Sequence, residues 1–239
     1  VRIVPDQPYR IIDNNEHFLV LDKSVGIAVH SDLKHEAGDD QGLLDLVKTQ
    51  ENIKELYPVH RLDKVTSGLL VLAKTRAANR ELSMLFEQRE IEKYYLALSI
   101  RKPKKKQGKV VGDMARGRRG SWLLLPSREN PAITQFFSSA AQPGQRLFLL
   151  KPKTGKTHQL RVALKSIGAP IAGDALYGGD ENLQQFDRTY LHAYALVFTF
   201  DGQRQQFVSL PTQGDLFVKP ECLASIEAFG SPWQLAWPK

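Results

Sequence analysis

A chain of 239 residues, 42% of them hydrophobic, can bury a sizeable core, while its single cysteine, Cys222, rules out an intrachain disulfide and makes a cytoplasmic setting the simplest expectation. Thirty-three Lys and Arg against 26 Asp and Glu leave a formal charge of +7, which favours an anionic partner: nucleic acid first, ahead of a membrane surface or phosphorylated metabolites. No apolar run nears the ~20 residues of a membrane span. The opening "VRIVPDQPYRIIDNNEH" also lacks the apolar centre of a secretory signal.

In chain order, "FLVLD" (18–22) and "GIAVH" (26–30) are short and rich in β-branched residues, with a turn-like stretch between them, and predict a hairpin. "GLLVLAK" (68–74) predicts a buried strand. Thr75 then reads as the cap of a helix whose Ala78, Leu82, Leu85 and Phe86 recur on one face through Glu87. Strands follow at "KYYLALSI", "AITQFFS" and "RLFLLKP". A helix through "HQLRVALKSIG" carries Leu160, Ala163, Leu164 and Ile167 in one stripe and stops at Gly168. The last clear strand is "YLHAYALVFTF". Many strands, few helices and no regular βαβ alternation predict an α+β fold with a mostly antiparallel sheet, taken as one domain over residues 1–239. In the tail, Trp233 and Trp237 are expected to pack on the domain.

From Arg101 to Arg119, "RKPKKKQGKVVGDMARGRR" holds nine Lys or Arg and a single acid, Asp113, with Pro and Gly interrupting regular structure. Such a run is either a solvated loop or a mobile arm that neutralises phosphates. "TGKTH" carries the tail of a phosphate-binding loop, but the leading glycine would fall at Leu150, so the match fails. The six histidines show no ligand spacing on a helix and the lone cysteine builds no thiolate site, so neither a metal nor a cofactor is expected. There is no nucleophile elbow and no dinucleotide fingerprint.

"HRLDKVTSG" (60–68) remains. An aspartate between Arg61 and Lys64 is ordinarily a salt-bridged loop residue. Here it precedes a turn-prone "TSG" and a buried strand, so its backbone is expected to be anchored. A nearby cation would keep such a carboxylate ionised and able to act as nucleophile or base.

"HRLDKVTSGLLVLAKT" resembles the signature of the RluA-type pseudouridine synthases, in which the aspartate of H-R-L-D is catalytic. "VLDKSVGIAVH", "REIEKYYLAL", "TGKTHQLRV", "GDALYGG" and "LHA" resemble further blocks of that family in the same order, with Lys23-Ser24 in place of the usual Lys-Pro. The resemblance implies that Asp63 is the catalytic residue, Arg161 its basic partner and Tyr95 the aromatic stacked on the target base. Leu160 would pack behind that base, and Arg61 would fill the space it leaves in the RNA. His60 and Lys64, from the same motif, would also lie at the substrate. Tyr94 and Tyr95 point to opposite faces of a strand, so one can be core while the other lines a cleft.

The family's small N-terminal RNA-binding domain is not expected here. That shifts RNA contact onto the catalytic domain, with Lys104, Lys105, Lys106, Arg116, Arg118 and Arg119 of the basic run on the phosphates. The implied reaction is isomerisation of one uridine, in ribosomal or transfer RNA, after the base leaves its stack. Attack on the sugar, addition to the ring and a glycal route all leave Asp63 in its role. A monomer is the family-based expectation. Two alternatives belong to other classes: a catalytically silent RNA-binding or ribosome-assembly protein on the same fold, and a glycosidic enzyme acting on free nucleosides.

Overall fold

Residues 7–30, 41–179 and 185–239 are described by the computed structural model. Among them the chain is mixed α/β, with a large, mostly antiparallel arrangement of strands and four α-helices, as the α+β expectation had it. The chain's contacts divide into two units, Val1–Ile91 with Ala195–Leu210 and Glu92–Tyr194 with Pro211–Lys239.

In the first unit β1 (Tyr9–Asn14) pairs with β2 (Phe18–Lys23), and β2 with β4 (Ser67–Ala73), both antiparallel. The two-residue β3 (Tyr57–Pro58) also pairs with β4, and β10 (Leu191–Phe200), which starts in the second unit, ends here against β11 (Gln203–Val208). Every residue of β4 is buried, as its unbroken apolar run required. On one face Phe18, Val20, Leu69, Val71, Leu196 and Phe198 form a core with Ala78 and Leu82 of α2 (Arg76–Glu87). Thr75 caps α2 as expected, its hydroxyl accepting the Ala78 amide at 3.1 Å. Burying side chains of this size contributes about 1.5–3 kcal/mol each.

The expected hairpin between 18–22 and 26–30 does not form; β2 turns back on β1 instead. The backbone of 24–29 finds other partners. Lys23 Nζ donates to the carbonyls of Ser24 and Ile27, the Gly26 amide donates to Lys64, and the carbonyls of Ala28 and Val29 receive the amides of Leu43 and Leu44 at the start of α1 (Leu43–Gln50). A segment whose ladder groups are used this way cannot also be a strand.

The second unit orders its strands β5 (Glu92–Ser99), β9 (Gln145–Pro152), β8 (Ala132–Gln142), β6 (Gln107–Arg116) and β7 (Trp122–Leu125), all antiparallel. α3 (Gln159–Ser166) packs on β7, β8 and β9, and α4 (Pro220–Glu227) on β8 and β9. The basic run is therefore not an irregular arm over its whole length: 107–116 is a strand, paired first with β8 and then with β7. Glycine does not break it, because at Gly112 a Cβ would lie 2.2 Å from the Leu125 carbonyl, so only glycine lets the two strands approach. Asp113, the run's one acid, accepts the amides of Glu129 and Asn130; the Ser127 hydroxyl and these amides hold its carboxyl below the usual range.

The tail packs as expected at Trp237, whose ring lies against Phe137 and Tyr94 and whose Nε1 donates to the Pro232 carbonyl. Trp233 is half-buried. Among the described residues no helix is long and apolar enough to cross a membrane.

Candidate active site

The residues singled out around the motif blocks fall on three stretches. His60, Arg61, Asp63 and Lys64 lie on the loop from 59 to 66 that joins β3 to β4, in the first unit; Tyr95 on β5 and Leu160 and Arg161 on α3 lie in the second.

The loop is held by its main chain and by one ring. The Thr66 amide donates to the Asp63 carbonyl at 2.9 Å, which closes a turn around Lys64 and Val65, and Gly26 donates to the Lys64 carbonyl at 2.8 Å. Leu62, 5% exposed, points into the core between exposed Arg61 and half-buried Asp63. His60 does something the sequence did not disclose. The register Tyr57 to Ala73 and Pro58 to Leu72 brings Val59 opposite Val71, but β3 has ended, and His60 Nε2 accepts the Val71 amide at 2.9 Å. An imidazole thus completes the ladder where the strand peels away. The same ring stacks on Phe86 of α2 with centroids 4.4 Å apart. The expected anchoring of the Asp63 backbone is present. Close by, the Thr66 hydroxyl is buried with no hydrogen-bond partner among the described residues.

On β5 the alternation of faces is as expected: Tyr94 is fully buried and Tyr95, opposite Leu150 of β9, is half-buried. Tyr94 donates to Glu92, which also takes Lys151 Nζ at 2.7 Å, and Lys151 lies 5.0 Å from the Tyr94 ring centre. Burial works against the charge on Glu92, but the bonds from Lys151 and Tyr94 outweigh it and hold the carboxyl below its ordinary range.

α3 starts from His158, which sits in the left-handed region at φ 56°. The next residue, Gln159, bonds through every polar group of its side chain: Nε2 to the Ile133 carbonyl and Thr134 hydroxyl, Oε1 from the Thr154 hydroxyl and the Lys156 amide. That fixes the first turn on β8, and with it Leu160 and Arg161, 7% and 5% exposed. Arg161 is clamped by a residue the sequence reading left without a role. Its Nε and Nη2 each donate at 2.8 Å to the two carboxylate oxygens of Asp174, which is fully buried. Asp174 Oδ1 also accepts the amides of Leu176 and Tyr177. The signal was present in "GDALYGG", where a buried acid had to answer a buried arginine.

Of the phosphate candidates, Lys104, Lys105 and Lys106 lie in the exposed stretch before β6, and Arg116, Arg118 and Arg119 at the exposed tip of the β6–β7 hairpin. Arg116 Cζ stands 5.9 Å from the ring centre of Trp122, its partner in register.

Residues 17–166 match the family model described as RNA pseudouridylate synthase. An uncharacterized RNA pseudouridine synthase of Haemophilus influenzae is 48% identical over 219 residues, 92% of this chain and 95% of that one. The dual-specificity RNA pseudouridine synthase RluA of Salmonella typhi is 35% identical over 82% of this chain and 89% of its own length. Among solved structures, human RNA pseudouridylate synthase domain containing 1 superposes with a TM-score of 0.72 at 26% identity, covering 87% of this chain and 86% of that one.

Proposed function

The chain belongs to the RNA pseudouridylate synthases of the RluA type, isomerases that act on RNA, and on that premise we propose that Asp63 is its catalytic residue, acting on one uridine of a ribosomal or transfer RNA. The observation that carries this reading is the loop itself: a half-buried carboxylate on a backbone pinned by Thr66, Gly26 and His60, at the one aspartate the family motif singles out. A pinned backbone gives a reacting group a fixed address, which is where much of the rate of a positioned reaction comes from.

Arg161 is the basic partner of Asp63 in this proposal. A guanidinium is planar and always charged, and the two bonds from Asp174 hold that charge in one orientation. Tyr95 stacks on the extruded uracil, Leu160 packs behind it and Arg61, exposed on the loop, enters the gap in the RNA. His60 acts from one step back, since its Nε2 and ring face serve Val71 and Phe86; Lys64 at the loop's exposed turn contacts the RNA. The base must leave its stack, the bond from ribose C1′ to N1 breaks, the uracil turns, C1′ bonds to C5, the C5 hydrogen leaves as a proton to water and N1 takes up a proton, so that nothing is gained or lost overall. Lys104, Lys105, Lys106, Arg116, Arg118 and Arg119 supply the phosphate contacts, so binding weakens steeply with salt.

The test is tritium release from RNA labelled at uridine C5, with wild type and Asp63→Asn on separate ribosomal and transfer RNA fractions. Release by the wild type alone supports Asp63 and names the RNA. Turnover by Asp63→Asn removes Asp63 from the chemistry, and RNA binding without release by the wild type on either fraction moves the weight to a silent binding protein.

A further inference from the structure

Tyr177 lies in the block "GDALYGG" but carries no role there or in the reaction, yet it joins two parts of the second unit. It is 4% exposed, in the loop after α3, and its amide donates to Asp174, the residue that clamps Arg161. Its ring lies beneath two cations of α3, with Arg161 Cζ 5.0 Å and Lys165 Nζ 5.6 Å from the ring centre. Its hydroxyl meets two further groups, the backbone amide of Trp122 at 2.9 Å and Nδ1 of His158 at 2.9 Å. The amide can only donate, so the phenol oxygen accepts there, and it shares a second hydrogen bond with Nδ1 of His158 whose direction follows the imidazole tautomer. His158 is the left-handed residue that opens α3, a conformation that persists in a non-glycine residue only when its surroundings hold it. Trp122 follows the Gly117–Ser121 turn, closed by the Gly117 amide on the Ser121 carbonyl, and so bounds the tip that carries Arg118 and Arg119.

We propose that Tyr177 is a positioning residue that seats the basic β6–β7 hairpin through its hydroxyl and the Arg161 guanidinium through its ring, so that RNA held by the hairpin and the group acting at the uridine are set by one side chain. This rests on the reading of Arg161 and of the hairpin arginines given above. The two halves of the side chain separate by substitution. Tyr177→Phe keeps the ring and loses the hydroxyl; Tyr177→Leu loses both.

The experiment measures steady-state turnover and RNA affinity for both variants and for Arg116→Ala/Arg118→Ala/Arg119→Ala, alone and combined with Tyr177→Phe. Tyr177→Phe is expected to raise KM about fivefold with kcat within about twofold, whereas Tyr177→Leu lowers kcat by about tenfold as well. In the triple-arginine background Tyr177→Phe adds little, because the hairpin it seats no longer holds RNA. Equal KM for wild type and Tyr177→Phe, or additive losses in the combined variant, overturns the proposal. So do kcat losses that are the same for Phe and Leu and follow only thermal stability. If the triple variant binds RNA like the wild type, the hairpin reading falls and this one with it. If the triple variant binds weakly and Tyr177→Phe does not, the hairpin reading stands and only the role of Tyr177 is lost.

Discussion

The loop at residues 59–66 and the first turn of α3 each present a charged group at a set place, and they do so by different means. Around Asp63 the hold comes from main-chain bonds, Thr66 to Asp63 and Gly26 to Lys64, and from a neighbouring ring, His60 on Val71 and Phe86. Around Arg161 the hold includes the functional group itself, fastened by two bonds to a carboxylate that has no exposure. Where the backbone does the holding, chemistry and stability can be separated by mutation; where a buried ion pair does it, they cannot. Arg161 is therefore both a reactive-site candidate and a structural member, and loss of activity on its removal says little by itself.

The comparison breaks most sharply at Asp63. Asp63→Asn is expected to cut tritium release about 10³-fold or more while thermal unfolding and RNA affinity stay near wild type. A matching fall in stability would show that the carboxylate also holds the loop. Arg161→Met should behave oppositely. It leaves Asp174 buried and uncompensated, at a cost of roughly 3–5 kcal/mol in urea unfolding. Arg161→Met with Asp174→Leu should recover much of that stability, because the stranded charge is gone, and none of the activity. Recovery of both would remove Arg161 from the reaction.

How far the sequence carried follows the same division. The strand at 67–73, the Thr75 cap, both faces of the Tyr94–Tyr95 pair and the stop at Gly168 were legible because each depends on neighbours a few residues away. The hairpin assigned to 18–30 failed because Lys23, 0% exposed, takes the carbonyls of the following loop, and an apolar pattern gives no notice of a buried cation. The strand inside the basic run was missed for a related reason: its pairing to β8 is set by a partner some 25 residues on, while its own charges suggested solvent. At the site, the family motifs offered Asp63 and Arg161 as candidates; "GDALYGG" held Asp174 without showing what it clamps, and the His60 bond to Val71 left no mark, because both contacts, 13 and 11 residues apart, form only once the chain turns back on itself.

His60 gives a smaller effect and sharpens the first half of the comparison. His60→Phe preserves a ring to stack on Phe86 and removes the acceptor, leaving the amide of fully buried Val71 without its partner, at about 1–3 kcal/mol. Turnover should fall with KM for RNA little changed, since the ring acts on the loop rather than on the RNA. A rise in KM alone would instead place His60 in contact with the substrate.

The smallest expected effect lies at Glu92, on the same strand as Tyr95, and it carries a pH signature. Its carboxyl is held below the ordinary range in the folded protein, burial being outweighed by the bonds from Lys151 and Tyr94. A depressed carboxylate contributes stability that is complete above the unfolded-state value and disappears as pH falls through the folded one. Glu92→Gln should therefore cost about 1–2 kcal/mol at pH 7, a figure kept low because Glu92 is partly in water. Repeated near pH 3, the same pair of unfolding curves should lie closer together. A cost independent of pH would mean that the shape of the side chain and its bond from Tyr94, rather than the charge facing Lys151, matter at this end of β5.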